Sequence, residues 1–272
     1  MEDVTLIELK SVSGVYAKGS VNDVSFRLPN GKTYGIWAPL YANAVCLCAL
    51  MSGARTPTQG KILAGGFDLH REAKKARLGI GFLPADLLPD EEMTPLEYLM
   101  AVADMRELPF DKTLRHVHEL LELADIADKK EKLISNLSRG EKRILCILQL
   151  LLGKPEILIL TSPLAGVTPK DAQRIRELIQ YLGDTYTIFL CTPSVHDLCE
   201  MCQEILVLQN GALKIVASTD AKELQAEIAD AQTDTPTEEA TPQKRKSTRW
   251  SMLTQTSEDY EVLDANEKED KK

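Results

Sequence analysis

The densest cluster of potential metal ligands in the sequence is the stretch CTPSVHDLCEMC, which contains Cys191, His196, Cys199 and Cys202. Cys199 and Cys202 have a spacing that zinc sites use. No second Cys/His pair at zinc-finger spacing accompanies them. On an amphipathic helix the two cysteines would share one face, so we interpret them as core residues and keep metal binding as the alternative.

A second stretch, YGIWAPLYANAVCLCALMSG, begins like the strand, glycine and turn of a nucleotide-binding loop and ends like the helix that follows one. Phosphate binding by such a loop depends on glycine amides, a lysine and a hydroxyl group that binds Mg²⁺. At the positions that would supply them the sequence has Leu40, Tyr41, Ala42, Asn43, Ala44 and Val45. The stretch therefore has the elements of a phosphate loop without its chemistry.

Composition restricts the class of protein. The 272 residues are 44% hydrophobic and carry a net charge of −9, with a pI of about 5.1, which argues against a sequence-independent nucleic-acid binder. No apolar run reaches the roughly 18 residues that a membrane span requires. The N-terminal MEDVTLIELK lacks the pattern of a signal peptide, and we expect a cytosolic protein with six free thiols.

Most of the chain alternates between strand and helix patterns. VTLIELKSV and VNDVSFRLPNGKTYGIWA alternate apolar and polar residues, which predicts half-buried strands with a tight turn at Asn30-Gly31. EILIL and YTIFLC are continuous apolar runs, typical of parallel strands buried on both faces. EILVLQNGALKIVAS predicts a hairpin around Asn210-Gly211. Strands separated by helices indicate a parallel sheet with helices on both faces.

The middle of the chain is helical instead. TPLEYLMAVADM has an N-cap at Thr94, Pro95 at the first helical position and Glu97 three residues after the cap. LSRGEKRILCILQLLLG begins with a serine cap at Ser138 and ends at Gly153. We predict an inserted helical subdomain over about 88–152.

The composition changes after about residue 229. Residues 230–272 are polar, charged and proline-bearing, so we predict a disordered charged tail that follows a folded domain of residues 1–229. The tail has one basic patch, Lys244 to Arg249, which leaves a docking segment or an anionic-membrane contact as the alternative to a solubilising role.

The order of these elements resembles the ATP-binding subunits of bacterial ABC transporters over residues 4–220, and is most similar to the exporter branch. The stretches that carry the resemblance are the opening β region, the helical insertion, LSRGE, ILILTSPLAGVTP and CQEILVLQNGALKIVA. The resemblance implies an α/β fold with a P-loop NTPase-like core and a mostly parallel sheet. It also implies an N-terminal antiparallel β region and an inserted helical subdomain.

The family's phosphate loop reads G-x-x-x-x-G-K-[ST]. Under this resemblance Ala38 stands at the first glycine, Asn43 at the second, Ala44 at the lysine and Val45 at the hydroxyl residue. Ala42 also adopts positive φ less readily than glycine does, which disfavours the anion-binding nest.

The other ATP-site positions also differ from the family. Thr161 and Ser162 stand where the family has the aspartate that holds Mg²⁺ and the glutamate that polarises the attacking water. Ala85 replaces the glutamine that senses Mg²⁺, and Pro193 replaces the switch histidine. His196, three residues further on, is a poor substitute.

The signature loop matches the family more closely than the other ATP-site positions do. Ser138 and Gly140 match the family, Arg139 replaces a glycine, and Glu141 completes LSRGE. In the family this loop contacts the γ-phosphate of ATP held by the partner subunit, through the serine, backbone amides and the helix N-terminus. Tyr16 lies where the family places an aromatic that stacks on adenine, and an ordinary strand aromatic is the equal alternative.

We therefore expect a catalytically inactive ABC nucleotide-binding subunit that has no cofactor of its own. It would pair with an active ATPase subunit and a membrane permease at the inner face of the cell membrane. Its signature loop would help to complete the ATP and Mg²⁺ site of the partner. The alternatives are a non-transport scaffold or regulatory module, and an ABC ATPase that retains weak ATP binding.

Overall fold

The computed structural model describes residues 5–29, 31–209 and 211–217, and positions 224, 226, 228 and 229. The chain divides into two units, Met1–Thr235 and Pro236–Lys272. The predicted tail over residues 230–272 lies outside the described residues.

Strands and helices alternate along most of the described chain. The strands are β1 (Thr5–Tyr16), β2 (Gly19–Pro29), β3 (Thr33–Trp37), β4 (Gln59–Ala64), β5 (Phe67–Asp68), β6 (Ile80–Leu83), β7 (Ile157–Thr161), β8 (Thr187–Cys191), β9 (Glu204–Gln209) and β10 (Ala212–Ala217). The helices are α1 (Tyr41–Met51), α2 (Ala73–Leu78), α3 (Pro95–Met105), α4 (Phe110–Leu123), α5 (Arg139–Leu151), α6 (Pro169–Gly183) and α7 (Val195–Met201).

The strands form two sheets. An antiparallel sheet has the order β2-β1-β4-β5, and a six-stranded sheet has the order β10-β9-β3-β8-β7-β6. In the larger sheet the pairs from β9 to β6 are parallel, and β10 closes the edge antiparallel to β9. This mixed arrangement, with its antiparallel N-terminal sheet and its helical insertion, confirms the fold class that the sequence predicts.

The third strand differs from the prediction. The hairpin partner of β2 is β1, with Tyr16 opposite Gly19, whereas β3 lies between β8 and β9 in the other sheet. The connection at Gly31, with φ of +88°, therefore joins two sheets. The prediction of a half-buried strand was wrong for β3, because β3 is buried along its whole length, as the centre of a parallel sheet requires.

The six-stranded sheet separates two apolar cores, because successive side chains on a strand point to opposite faces. On β7, Leu158 and Leu160 pack with the helices of the insertion, while Ile157 and Ile159 pack against α1 and the antiparallel sheet. This two-sided burial is the physical reason for the continuous apolar runs in the sequence.

The helices between β6 and β7 begin where the sequence predicts. Thr94 caps α3 and Ser138 caps α5, and each forms a capping box with the glutamate three residues later. α5 contacts β6, α3 and α6, so it joins the insertion to the sheet. The first residues of α5 therefore lie close to the ends of several other elements.

Candidate functional site

The turn between β3 and α1 is short. Three residues, Ala38 to Leu40, separate Trp37 from the first helical residue, Tyr41. None of residues 38–45 has a positive φ, and the amide of Asn43 donates to the carbonyl of Leu40 at 2.8 Å. An anion-binding nest needs successive amides turned toward one point by alternating backbone conformations. Here the chain enters the helix at Tyr41 instead, within the stretch that the resemblance assigns to the phosphate loop.

The side chain of Tyr41 connects this turn to the end of β7. Its hydroxyl lies 2.5 Å from Oγ of Ser162, at the position that the resemblance assigns to the catalytic glutamate. Ser162 has φ of +46°, a conformation that non-glycine residues rarely adopt. Burial raises the pKa of Tyr41, so its phenol stays protonated at neutral pH. A neutral hydrogen bond therefore joins two positions that would both face Mg-ATP in the family.

The residues beneath this contact are also uncharged. Ala44 is fully buried in the core, and Thr161 is 1% exposed. The Thr161 hydroxyl has no well-formed hydrogen bond and lies beside the thiol of Cys48. The pKa of the Cys48 thiol lies well above its ordinary value, because Cys48 is hydrogen-bonded to Cys191 and is buried. The junction of α1, β7 and β8 thus contains hydroxyl and thiol groups.

The first turn of α1 is fixed to the β1–β2 hairpin. Oδ1 of Asn43 accepts a hydrogen bond from the amide of Ser20 at 2.9 Å. At Gly19, an added Cβ would lie 1.9 Å from the carbonyl oxygen of Ala42, so only glycine permits this approach. Asn43 therefore has a structural role here, as does the hairpin glycine.

Tyr16 is half-buried at the end of β1 and packs against the core. The guanidinium of Arg55 lies over its ring, 4.9 Å from the centroid, in a cation–π contact. One face of the ring is therefore already covered. The sequence left adenine stacking and an ordinary strand aromatic as equal alternatives, and this contact favours the second.

Four other positions considered from the sequence are dispersed. Ala85 lies exposed in the turn after β6, and Pro193 lies exposed after β8. His196 is on α7 with 76% of its side chain exposed, and it pairs with Glu200 at 3.5 Å. Val45 is half-buried and packs against the core. The structure does not join these side chains into one site with Tyr41 and Ser162.

Arg143 is a residue of this region that the sequence reasoning missed. Its guanidinium is buried and donates to the carbonyls of Pro84 and Leu87, and to those of Thr161 and Ser162 at 3.0 Å. Burial lowers its pKa. No carboxylate pairs with it among the described residues. The sequence signal that could have identified Arg143 is a charged residue on the apolar face of α5, four residues before Ile147.

The signature-loop serine is bonded within the chain. Ser138 Oγ accepts from the amide of Glu141 at 3.1 Å and donates to Oδ2 of Asp171 at 3.1 Å. Thr168 donates to the same carboxylate oxygen, and a Cβ on Gly140 would lie 2.2 Å from the Asp171 side chain. The start of α5 is therefore closely packed against the start of α6.

Glu141 supplies the second hydrogen bond of the capping box at the start of α5. Its carboxylate accepts from the amide of Ser138 at 3.0 Å and forms ion pairs with Lys129 and Arg174. Burial alone would raise the pKa of Glu141, but the hydrogen bonds from Lys129 and Ser138 outweigh it and leave the pKa below its ordinary value. Glu141 therefore stays ionised and faces inward, 6% exposed.

Arg139 is an exposed charged residue of the loop. Its guanidinium lies against Gly166, whose φ is +68°, and an added Cβ at Gly166 would be 2.7 Å from Arg139 Cζ. No carboxylate pairs with Arg139 among the described residues. Exposed Ser138, the first amides of α5 and this guanidinium form one polar surface, which we call the α5 loop surface.

The cysteine cluster does not form the ligand set considered from the sequence. Cys202 is buried in the core, and Cys199 packs beside it. Among the described residues, the group with ligand atoms close enough for a metal is His196, Asp197 and Glu200. Asp197 already pairs with Arg176 at 2.8 Å, and exposed side chains on one helix commonly lie this close without a metal.

Comparison with known proteins assigns the family. The sequence profile of the family described as ABC transporter matches residues 21–165 of the chain, from β2 to the loop after β7. The chain belongs to this family. No helix among the described residues is long and apolar enough to cross a membrane.

Several curated ABC proteins are similar in sequence. The linearmycin resistance ATP-binding protein LnrL of Bacillus subtilis (strain 168) is 26% identical over 76% of this chain and 68% of its own length. The daunorubicin resistance ATP-binding protein DrrA3 of Streptomyces coeruleorubidus is 28% identical over 82% and 70%. The Nod factor export ATP-binding protein I of Rhizobium meliloti is 30% identical over 75% and 62%. These names describe resistance and export proteins.

Solved ABC structures share the fold. An ATP binding subunit of an ABC transporter aligns with a TM-score of 0.69 at 21% identity, covering 84% of this chain and all of that one. The structure of cbiO1 from Clostridium perfringens, part of the ABC transporter complex cbiONQ, aligns with a TM-score of 0.70 at 20% identity, covering 85% and 96%. At this identity the likeness concerns the fold alone.

Proposed function

We propose that this ABC subunit does not hydrolyse ATP itself and pairs with an active ABC ATPase and a membrane permease. Its α5 loop surface would contribute to an ATP site held by that partner. The observation that carries the proposal is the contact between Tyr41 and Ser162, because it occupies the junction where an active subunit would need charged groups.

The residues at this junction do not fit a magnesium nucleotide. Mg²⁺ prefers carboxylate and phosphate oxygens, and phosphoryl transfer depends on a lysine and the metal to stabilise charge. Ala44 supplies no cation, and Thr161 and Ser162 supply no carboxylate. Arg143 is a buried cation nearby, and its four Nη contacts are directed to backbone carbonyls.

The free energies involved support the loss of both ATP hydrolysis and tight ATP binding. Losing a single oxyanion donor typically costs about 3–4 kcal/mol in the transition state, and several such groups are missing here. Stacking on an aromatic contributes about 1–3 kcal/mol per base, below the roughly 4 kcal/mol that a millimolar dissociation constant requires. Tyr16, with Arg55 over one face, therefore cannot hold ATP by itself.

The charge of the α5 loop surface suits a contact with an anionic ligand that is bound to another subunit. Arg139 is an exposed guanidinium without an acidic partner in the described chain, and it lies beside a helix N-terminus, where anions are stabilised. Ser138 is exposed, although its hydroxyl already donates to Asp171. We assign the larger contribution to Arg139 and the α5 amides for this reason.

The proposal is tested in the assembled complex, purified through a tag on this chain. We predict that it contains an intact ABC ATPase and a permease, and that Arg139→Glu lowers its ATPase rate about tenfold or more, because the reversed charge would face the partner's nucleotide. Lys112→Glu on exposed α4 is the matched control and should leave the rate unchanged.

A second variant separates the helix cap from nucleotide contact. Ser138→Asn keeps a good N-cap, so a fall in ATPase rate without a fall in melting temperature would indicate contact with nucleotide. An unchanged rate with Arg139→Glu in a verified complex would contradict the proposal. Recovery of neither subunit would favour a scaffold, and micromolar MgATP affinity of the isolated chain would favour a nucleotide site of its own.

A further inference from the structure

A cavity of about 500 Å³ lies beside the C-terminal end of α1, between β1, β4 and the segment after β5. Five cationic side chains line it: Lys10, Arg55, Lys61, Arg71 and Arg77. We call this cavity the basic pocket. Its volume falls in the range of small-molecule sites, roughly 300–1,000 Å³.

Four of these cations, Arg55, Lys61, Arg71 and Arg77, form no ion pair with an acidic residue in the described part of the chain. The fifth, Lys10, is paired with Glu8 at 2.9 Å. The lining carboxylate Asp68 accepts hydrogen bonds from the backbone amides of His70 and Arg71, and its charge attracts that of Arg71 without forming an ion pair.

This concentration of positive charge is unusual in a chain with a net charge of −9. All four side chains are exposed, so solvent screens part of the repulsion among these like charges, and the remainder disfavours their close approach. Surface lysines and arginines scattered over a protein avoid this cost. An anionic ligand would remove the repulsion and gain charge-assisted hydrogen bonds.

Two of the arginines are held in place by their surroundings. Arg55 lies over the Tyr16 ring at 4.9 Å. Arg77 lies against Gly53, where φ is +70° and an added Cβ would be 2.9 Å from Arg77 Nε. A guanidinium that is already positioned loses less conformational entropy when it binds an anion.

The basic pocket is distinct from the region of Tyr41 and Ser162. Tyr41 is the first residue of α1, whereas Gly53 and Arg55 follow its last turn. Eleven helical residues at about 1.5 Å each place the two ends of α1 roughly 16 Å apart. The positions that the family uses for ATP therefore do not line this cavity.

We propose that the basic pocket binds a small ligand with at least two phosphoryl groups. Arginine pairs with phosphate through two parallel hydrogen bonds, which explains a preference for phosphoryl groups over a single carboxylate. Four unpaired cations match a ligand with several negative charges. A free phosphorylated metabolite and a lipid headgroup with two phosphates share this chemistry.

The test measures binding of pyrophosphate to the full chain by calorimetry. In parallel, the chain is sedimented with phosphatidylcholine vesicles with and without cardiolipin, whose headgroup has two phosphates. Binding of pyrophosphate without cardiolipin-dependent sedimentation identifies a soluble ligand, and sedimentation dependent on cardiolipin identifies a lipid. Absence of both signals for the unmodified chain overturns the proposal.

Substitutions locate the binding. Arg55→Gln with Arg77→Gln should weaken whichever signal is seen by about tenfold or more, since each removes a charge-assisted hydrogen bond. Lys61→Gln with Arg71→Gln should act in the same direction and does not disturb the Tyr16 or Gly53 contacts. Lys74→Gln is the control, because Lys74 is exposed on α2 with Arg77 but does not line the pocket. An equal loss with Lys74→Gln would show general charge attraction and overturn the proposal.

Discussion

At the scale of residues, the central feature is a hydrogen bond between side chains that are 121 positions apart. Ser162 stands where the resemblance expects the catalytic glutamate, and Tyr41 lies within the stretch that the resemblance assigns to the phosphate loop. In this chain they contact each other, and both are partly buried. The contact joins the first residue of α1 to the residue that follows β7.

We predict that Tyr41 and Ser162 are energetically coupled. In a double-mutant cycle with Tyr41→Phe and Ser162→Ala, the coupling energy should be about 1 kcal/mol, the net value of a partly buried neutral hydrogen bond. Urea unfolding of the four proteins measures it. Tyr181→Phe, on an exposed side chain, should have little effect. Additive single effects would show that the hydroxyl contact does not exist in solution.

At the scale of elements, the two capping boxes offer a comparison within one protein. Thr94 and Glu97 cap α3 at the surface, whereas Ser138 and Glu141 cap α5 beside Lys129 and Arg174. Glu97 has an exposed carboxylate, and Glu141 has a buried one. The same local motif therefore carries a larger share of the stability in α5.

We predict that Glu141→Gln lowers the free energy of unfolding at pH 7 by roughly 1.5–3 kcal/mol, because a buried charged hydrogen bond is lost. The folded pKa of Glu141 lies below its unfolded value, so the ionised form stabilises the fold above the unfolded pKa of about 4.3. The difference between the two proteins should therefore shrink as the pH falls below that value.

Urea unfolding at several pH values measures this effect. Glu97→Gln is the matched control, because it changes the same position of a capping box without a basic partner. Its effect at pH 7 should be smaller than that of Glu141→Gln. An equal effect, or a difference that grows as the solution is acidified, would contradict the assignment of the ion pairs.

At the scale of the whole molecule, the two apolar cores on either face of the six-stranded sheet make the domain one unit. Leu224, beyond the last strand, is 1% exposed and belongs to the core on the side of the helical insertion. The chain therefore contributes to the core past β10. The composition of residues 230–272 predicts no comparable contribution.

We predict that a chain ending after Thr235 keeps the melting temperature of the full chain within about 2 °C, because the composition of the removed residues predicts no contribution to the core. A chain ending after Ala217 also loses Leu224, and removing a buried leucine side chain costs about 2–5 kcal/mol. Its melting temperature should fall by about 4 °C or more. Scanning calorimetry compares the three proteins, and equal melting temperatures for both truncations would contradict the prediction.

Much of the fold could be predicted from local patterns. The caps at Thr94 and Ser138 and the buried strand β7 follow from capping and periodicity. The half-buried character predicted for β3 was wrong because burial of a strand depends on its neighbours across the whole domain. Alternation within a short segment does not contain that information.

The sequence by itself determined which chemical groups stand at the family's ATP positions, because residue type alone decides whether a lysine or a carboxylate is present. Only the tertiary structure decided what those positions do instead. The Tyr41 contact, the carbonyl contacts of Arg143 and the basic pocket all join residues from separate segments. Their proximity depends on how the sheets and helices pack, and no local pattern encodes it.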